Sequence, residues 1–348
     1  MALGATVIAA APSQAAPHAG KRTVNATFGA APASEKLVHG KKVLGVDGRP
    51  YFTFGTTPGG RLTDHLAILN ISYKPETLQV YPVDAVAAAN GTIAYAAPSA
   101  PRKQAGAWLA VGTPGGSGRI TVKPRSTVIV PVHVAVPRNA PPGDHVGAVV
   151  VSLSGRIAGS FGQGSKQKVK FDQRIAVKAL FRVTGPLHPQ LSVQQLHASY
   201  RGPIDPFAKG QATVTYTVHN GGNVILGGPQ TVTVHGLFGE SVTAAHVADV
   251  PALLPGASYP VTVKVPGVYP EVWMSAKVTV DTTGLQGQVD PGLHPVTASV
   301  HFLAIPWILL VVLLLLILGL AWGYARRRRR KRPVEPSRDL AKPQGVRT

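Results

Sequence analysis

Histidines, glycine-rich loops and carboxylates are the residues from which this chain could build a reactive site. Twelve histidines are present, but none forms a His-x-His pair or an HExxH motif, the spacings that present two imidazoles to one zinc ion. The glycine-rich loops at 112–118 and 159–166 lack the following helix and the Gly-Lys-Ser/Thr ending of a phosphate loop. Cysteine is absent, which excludes thiolate metal sites, cysteine nucleophiles and disulfides. We therefore expect no catalytic residues, no metal, no cofactor and no enzymatic activity.

The elements around these residues are predicted to be strands. From residue 51 onward, apolar and polar residues alternate in short runs rich in β-branched side chains, with turn residues about every ten positions. A Gly- and Pro-containing segment at 184–189 divides two such sets of strands. This pattern predicts an all-β chain with two immunoglobulin-like sandwiches.

A motif that occurs twice in the chain suggests that the two sandwiches are repeats. The sequence PVHVAVP at 131–137 recurs as PVTVKVP at 260–266, each after a strand that ends in asparagine, Asn70 and Asn220 respectively. A true repeat would give the first domain roughly twenty additional residues around 84–108, where a loop on a rigid sandwich is a candidate binding site. The alternative, that such a motif simply suits edge strands, stays open.

The decisive topological feature lies near the C-terminus. The segment 302–324 has 23 residues without a charge. At about 1.5 Å per helical residue it spans roughly 34 Å, enough for a hydrocarbon core of about 30 Å. Trp307 and Trp322 lie near its two ends, as interfacial aromatics do. A run of cations follows and predicts a cytoplasmic C-terminus, namely Arg326, Arg327, Arg328, Arg329, Arg330, Lys331 and Arg332.

The N-terminus resembles a secretory signal peptide, with an apolar run at 2–11 and Ser13-Gln14-Ala15 as a cleavage site. Together with the C-terminal helix it predicts a single-pass plasma-membrane protein whose N-terminal bulk is extracytoplasmic. The expected organisation is a signal-peptide-like segment at 1–19, an irregular arm at 20–44, a first sandwich at 45–185, a second sandwich at 186–301, a transmembrane helix at 302–325 and a basic cytoplasmic tail at 326–348.

The formal net charge of +20 is unevenly distributed. The tail 326–348 carries +8, residues 1–44 carry +4, residues 45–185 carry +10 and residues 186–325 carry −2. With the predicted topology the basic exterior faces away from the cytoplasm, so nucleic acid is not expected as a partner. An anionic envelope polymer fits that surface, while a basic surface kept only for solubility is the alternative.

The order of several motifs resembles the peptidoglycan-binding-type domain of WxL-interacting proteins, a bacterial cell-surface family. They are DHLAILN at 64–70, LQVYPVDA at 78–85, NGTI at 90–93, Trp108-Leu109 and VPRNAPPGDHVGAVVVS at 136–152. The last is the most specific, and the resemblance covers about 45–185. It implies an envelope-anchored protein whose first domain engages peptidoglycan and whose second domain contacts other surface proteins or ligands. The family's partners carry Trp-x-Leu surface motifs, and the only such triplet here lies in the membrane segment.

Family resemblance does not fix the ligand residues, and the residues chosen here as ligand-binding candidates are Asp84, Trp108, Asp144 and His145. An alternative for Asp144-His145, which follows Pro-Gly, is a turn whose carboxylate caps backbone N–H groups. Trp108 is equally compatible with a core position and with a ligand platform.

The sequence thus predicts a non-enzymatic, membrane-anchored binding or scaffold protein of the cell envelope, whose basic first domain binds peptidoglycan or another anionic wall polymer. Two alternatives from other classes are an accessory binding module of an envelope hydrolase and a surface adhesin.

Overall fold

The structure is a computed structural model that describes residues 27–38, 41–160, 166–203, 205, 208–285, 292–305 and 307–330. The signal-peptide-like segment at 1–19 and the tail beyond Arg330 lie outside the described residues.

In the described part of the first domain the strands are antiparallel except for one parallel pair, β3 on β11. Its strands are β1 (Phe28–Val38), β2 (Lys41–Val46), β3 (Phe52–Thr56), β4 (Arg61–Asn70), β5 (Glu76–Ala87), β6 (Ile93–Tyr95), β7 (Leu109–Val111), β8 (Arg119–Val122), β9 (Thr127–Ala135), β10 (Gly143–Ser160) and β11 (Lys166–Val183). One sheet has the order β2-β1-β4-β9-β7, and the other has the order β3-β11-β10-β5-β6 with β8 on β5.

Alternating burial explains why these strands face each other as a sandwich. In β3 the side chains of Phe52, Phe54 and Thr56 are buried while those between them are exposed. Phe52 and Phe54 pack with Phe181 of β11, and the Phe54 and Phe181 ring centroids lie 5.0 Å apart. Burial of such large apolar side chains contributes about 2 kcal/mol each, so the core between the two sheets sets the register of both.

The expectation of an irregular arm at 20–44 is wrong for its described part. Residues Phe28–Val38 form β1, which pairs with β4 through Ala33 and then with β2. Phe28 is 2% exposed and closes the core. The composition of β1, rich in Ala and interrupted by Pro32, has weak intrinsic strand preference. Pairing with β4 and burial of Phe28 override that preference.

The second domain is a separate sandwich with its own core. Its strands are β12 (Leu191–Arg201), β13 (Gly210–Asn220), β14 (Leu226–Gly228), β15 (Gln230–His235), β16 (Ser241–Thr243), β17 (Val250–Leu253), β18 (Ser258–Val268), β19 (Val272–Val280) and β20 (Val296–Ala304). The sheets are β12-β13-β18 and β16-β15-β19-β20, with a short pair of β14 and β17. Both domains are therefore immunoglobulin-like in architecture, and the chain is mainly β, as the sequence predicts.

The two sandwiches share a buried asparagine at the end of an equivalent strand. Asn70 Nδ2 donates to Lys74 O (2.8 Å) and to Val122 O (3.0 Å). Asn220 Nδ2 donates in the same way to Val224 O (2.8 Å) and to Leu253 O (2.9 Å). The two asparagines therefore occupy equivalent positions, at the ends of β4 and β13, and indicate a structural repeat. The repeated PxVxVxP motif does not have the same register in the two domains. Pro131 lies opposite His65, five residues before Asn70, whereas Pro260 lies opposite Thr217, three residues before Asn220. The two copies are therefore offset by two residues.

The C-terminal helix α1 spans Trp307–Arg330, and its segment Trp307–Arg328 is long and apolar enough to cross a membrane. The predicted start at residue 302 is wrong, because Phe302 belongs to β20 and is 8% exposed in the core of the second domain. The apolar residues that end β20 and those that begin α1 form one uncharged run in the sequence. Alternating burial in β20 is what separates them.

Replacing Asn220 with alanine tests how much this buried asparagine contributes to the stability of the second domain. The change removes both Nδ2 donors and leaves the carbonyls of Val224 and Leu253 unpaired in the core. We expect a loss of about 2–4 kcal/mol of unfolding free energy, measured by denaturant titration of the full chain in detergent micelles. Asn90→Ala, at an exposed turn, is the control and is expected to cost about 0.5 kcal/mol or less. Equal losses of unfolding free energy in the two variants would contradict the stabilising role of Asn220.

Candidate binding site

The junction between the domains is organised by a buried ion pair at the beginning of β10 and the end of β11. Asp144 lies directly opposite Arg182 in the ladder. Arg182 Nε donates to Asp144 Oδ1 and Nη2 donates to Oδ2, both at 2.7 Å. The Asp144 side chain is 2% exposed and that of Arg182 is 16% exposed. A fork-shaped guanidinium held at two points fixes the orientation of the carboxylate.

Asp144 also bridges to the second domain. Its Oδ2 accepts the backbone N–H of Ile225 at 2.8 Å, and its own N–H donates to Asn223 O at 2.7 Å. The residue therefore joins both domains through its side chain and its backbone. If the domains separated, the Asp144–Arg182 pair would persist, but the N–H of Ile225 and the carbonyl of Asn223 would lose their partners on Asp144.

Asn223 ties the connecting segment to the same place. Its Nδ2 donates to Pro142 O (3.1 Å) and Pro186 O (2.9 Å), and its Oδ1 accepts the N–H of His188 (2.7 Å). Gly143 has φ +115°, and a Cβ added there would collide with the carbonyl oxygen of Asn223. Only glycine permits this close approach of the two backbones.

An apolar cluster completes the junction beneath these polar contacts. Ala85, Val146 and Leu180 of the first domain pack with Ile225 of the second, and all four are buried. Lys178 lies at the edge of this region, with its Nζ 4.4 Å from the centre of the Tyr51 ring. Burial lowers the pKa of the Lys178 ammonium from its ordinary value.

Asp84, the first predicted ligand residue, holds a loop of its own domain. Its carboxylate accepts backbone N–H groups from Lys103 (2.6 Å), Gln104 (3.1 Å) and Gly106 (2.7 Å), and Asp84 is 6% exposed. A Cβ on Gly106 would overlap the backbone of Val83. The additional residues that the sequence places around 84–108 are therefore fixed on the end of β5, since one carboxylate satisfies three donors of the loop.

Trp108 and His145 lie in contact next to that loop. The Trp108 ring is 4.8 Å from the His145 ring and meets the edge of Phe181 at 5.3 Å. Trp108 is 7% exposed, and His145 Nε2 lies 2.9 Å from Pro141 O. Trp108 is thus part of the core, with His145 covering it at the partly exposed surface.

A cavity of about 460 Å³ opens between the domains beside these residues. Its lining includes Gln104, Pro141, Asp144 and His145 from the first domain, and Asn223 and Leu254 from the second. The exposed Arg102 and Lys103 immediately precede Gln104 at the cavity. The walls offer amide, imidazole and backbone groups, a mixture suited to a neutral polar or anionic ligand.

The structure brings the four predicted residues to one end of the first domain, yet the polar atoms of Asp84 and Asp144 are occupied by internal partners. Their ligand-binding role stays a prediction. Sequence reasoning missed Arg182 and Asn223, which complete the junction. For Arg182 the signal in the sequence was a basic residue near the end of a strand. For Asn223 it was the Asn-Gly-Gly-Asn turn at 220–223. Neither signal indicates which residue would be the partner.

A second candidate surface follows from the way charge is used in the first domain. All carboxylates of 45–185 are described, and each has a partner: Asp47, Asp64, Glu76, Asp84, Asp144 and Asp172. Hydrogen bonding by Arg49 holds the pKa of Asp47 below its ordinary value. The exposed cations that form no ion pair among the described residues are Arg61, Lys74, Arg102, Lys103, Arg119, Lys123, Arg125 and Arg138.

Three of these cations and an exposed tyrosine lie on two neighbouring loops at the end of the domain opposite the junction. Asn70 Nδ2 binds the carbonyl of Lys74, and the N–H of Arg125 donates to Ser72 O at 3.2 Å. The Arg125 guanidinium lies 4.1 Å from the centre of the Tyr73 ring, and Tyr73 is 81% exposed. We name the residues Tyr73, Lys74, Lys123 and Arg125 the distal basic cluster.

The hairpin of β10 and β11 extends beyond the same end. β10 pairs with β5 only from Gly147 to Ser152, whereas its ladder with β11 continues to Ser160 and Lys166. The outer part of the hairpin is therefore a two-stranded ribbon. The three exposed cations of the distal basic cluster match the chemistry of an anionic polymer.

Comparisons with known proteins assign no family to the chain. No family model matches the chain, and no curated protein matches it. Similar solved structures include the Class 5 fimbriae chaperone CfaA, 10% identical, covering 74% of this chain and 98% of its own, with a TM-score of 0.35. The Salmonella enterica SafB chaperone with the SafA pilin is 14% identical, covers 74% and 94%, and has a TM-score of 0.32. The resemblance to WxL-interacting proteins remains a prediction from the sequence.

Among the residues that the structure describes, no group of three or more His, Asp or Glu side chains could hold a metal ion.

Asp144→Ala tests the junction. It removes the carboxylate to which Arg182 donates two hydrogen bonds, and with it the link to the Ile225 N–H. We expect a loss of about 3–5 kcal/mol and separation of the two domains into distinct unfolding transitions, measured by calorimetry of the full chain in detergent. Asp172→Ala is the matched control, because its pair with Arg174 is exposed and should contribute about 1 kcal/mol or less. A single unshifted transition for Asp144→Ala would contradict the proposed coupling.

Proposed function

We propose that this chain is a non-enzymatic, membrane-anchored binding protein of the cell envelope whose first domain binds an anionic wall polymer or peptidoglycan. The observation that carries the proposal is the distal basic cluster, together with the internal use of every carboxylate in 45–185. Cations that form no ion pair attract an anionic polymer, and the face of the exposed Tyr73 ring away from Arg125 offers a surface on which a sugar can stack.

The order of the elements supports this assignment. The distal basic cluster, the first domain, the junction, the second domain and α1 follow one another, so the cluster lies at the end farthest along the fold from the helix. The run of cations from Arg326 favours a cytoplasmic C-terminus. In that orientation the distal basic cluster faces the wall, and the proposed site of the protein is the plasma membrane with a single span.

The resemblance to WxL-interacting proteins adds peptidoglycan as the specific ligand. The second domain, with a net charge of −2 over 186–325, is not suited to the same polymer. In our proposal it serves as a spacer and as a contact for other surface proteins.

Neutralising the cations of the distal basic cluster tests the polymer-binding role. We expect Lys74→Gln, Lys123→Gln and Arg125→Gln combined to weaken retention of the full chain on purified wall about tenfold, as three lost contacts of about 0.5 kcal/mol each imply. The matched control combines Arg61→Gln, Arg102→Gln and Arg138→Gln, which removes equal charge at the junction end. Retention is measured by sedimentation with wall material from low to molar salt.

Equal losses in the two triple variants would assign binding to net charge rather than to the distal basic cluster. Retention that does not change with salt would contradict the electrostatic attraction itself. Walls stripped of their phosphate-containing polymers separate the two ligands: retention on stripped walls indicates peptidoglycan, and its loss indicates the polymer.

The absence of cysteine makes the topology directly measurable. We expect Lys74→Cys to react with a membrane-impermeant maleimide in intact cells, and Thr348→Cys to react only after permeabilisation. The wild-type chain is the unlabelled control, because it carries no thiol. The reverse pattern would contradict the proposed orientation.

A further inference from the structure

The end of the second domain opposite the junction is where the strands turn toward α1. The antiparallel ladders align the end of β15 with residue 275 of β19, and the start of β19 with the end of β20, where Val272 lies opposite Ala304. The start of β13 and the end of β18 meet at this end as well. Loops between these strands thus form one rim.

This rim exposes large apolar side chains instead of burying them. The exposed fractions are 61% for Leu237, 86% for Phe238, 52% for Trp273 and 55% for Leu303. Tyr269 is also exposed, with the Lys209 ammonium 4.7 Å from its ring centre. We name Leu237, Phe238, Tyr269, Val272, Trp273 and Leu303 the juxtamembrane rim. Isolated surface apolar residues are ordinary, but a set gathered on one end is typical of an interaction surface.

The backbone of the juxtamembrane rim is held in a fixed and strained form. The N–H of Phe238 donates to Glu271 Oε2 at 2.8 Å, which ties the loop after β15 to the start of β19. Val272 has φ +63°, a conformation that costs a β-branched residue about 1–3 kcal/mol. Residues in such conformations cluster at active sites, ligand clamps and switch regions.

The distance to α1 limits what that partner is. β20 ends at Ala304 and α1 begins at Trp307, so the two ends are at most about 11 Å apart at 3.8 Å per Cα step. Leu303 lies on the last strand before this connection, and Trp273 lies opposite it. A helix that crosses a bilayer would therefore hold the juxtamembrane rim within reach of the headgroups.

We propose that the juxtamembrane rim sits in the interfacial layer of the same bilayer that α1 crosses. This inference rests on the membrane anchor of the proposed function. Tryptophan and tyrosine favour that layer because their rings lie among the upper acyl chains while the indole N–H and the phenol O–H stay hydrated. Phe238, Leu237 and Leu303 add apolar area that the same layer would bury. Lys209 beside Tyr269 would meet lipid phosphate. The occupant is thus lipid, and the second domain stands on the membrane surface.

Tryptophan quenching by spin-labelled lipid tests the contact in the full chain. Trp307→Phe combined with Trp322→Phe leaves two tryptophans, Trp273 and the 7% exposed Trp108. In phosphatidylcholine–phosphatidylglycerol vesicles carrying a label near the headgroup, we expect about half of the emission to be quenched. Adding Trp273→Phe should reduce that quenching at least fivefold, because Trp108 is shielded by its own core.

A tryptophan on the first domain is the matched control. In the variant without Trp273, Tyr73→Trp places an exposed indole at the distal basic cluster, and we expect no quenching there. Quenching of Trp273 no stronger than that of the control would overturn the proposal.

The failure of the anchor is distinguishable from failure of the contact. Trp322, kept as a single helix reporter in a Trp307→Phe, Trp273→Phe variant, is compared with lipid labelled at different depths. If Trp322 is not quenched by any lipid label, the membrane anchor is wrong. If Trp322 is quenched and Trp273 is not, the anchor stands and only the juxtamembrane contact is wrong.

Aqueous iodide identifies any other occupant. Protection of Trp273 from iodide together with lipid quenching supports lipid as the occupant. Protection from iodide without lipid quenching, with association detected by sedimentation of the vesicle-extracted chain, would assign the rim to a second protein copy and overturn the proposal.

Discussion

The pair of Asp144 and Arg182 is the interaction on which the arrangement of the two domains depends. It lies at the meeting point of β10, β11 and the turn 220–223, and Asp144 contributes both backbone and carboxylate contacts to that turn. The pair itself lies within the first domain and orients the carboxylate, and the contacts of Asp144 to Asn223 and Ile225 are what join the second domain to it. Gly143 and Asn223 depend on the same geometry, because their backbones approach too closely for any side chain at position 143.

Much of the fold follows from patterns that are local in the sequence. Alternating apolar residues predict the strands, and an uncharged run before consecutive arginines predicts α1. The errors occur where local patterns are weak or merge. β1 has few strand-favouring residues and is held by pairing with β4. The apolar end of β20 continues into α1 without a polar boundary, and only its alternation distinguishes a strand from a helix.

The candidate sites were less predictable because their partners are distant in the chain. Asp144 was identifiable as a carboxylate after a Pro-Gly turn, but the residues that bind it, Arg182 and Ile225, follow at separations of 38 and 81 residues. Asp84 is a carboxylate, a residue type that is common in ligand sites, but its hydrogen bonds hold the loop of its own domain that follows residue 102. The distal basic cluster emerges only when strand order brings the loops 71–75 and 123–126 together, since neither loop alone carries a distinctive motif.

The short connection between β20 and α1 has a mechanical consequence. β20 ends at Ala304 and α1 begins at Trp307, while β20 pairs with β19 over its whole length. A pull on α1 would therefore be resisted by that ladder of hydrogen bonds, which lies along the direction of the pull at β20, and no long linker would absorb it first.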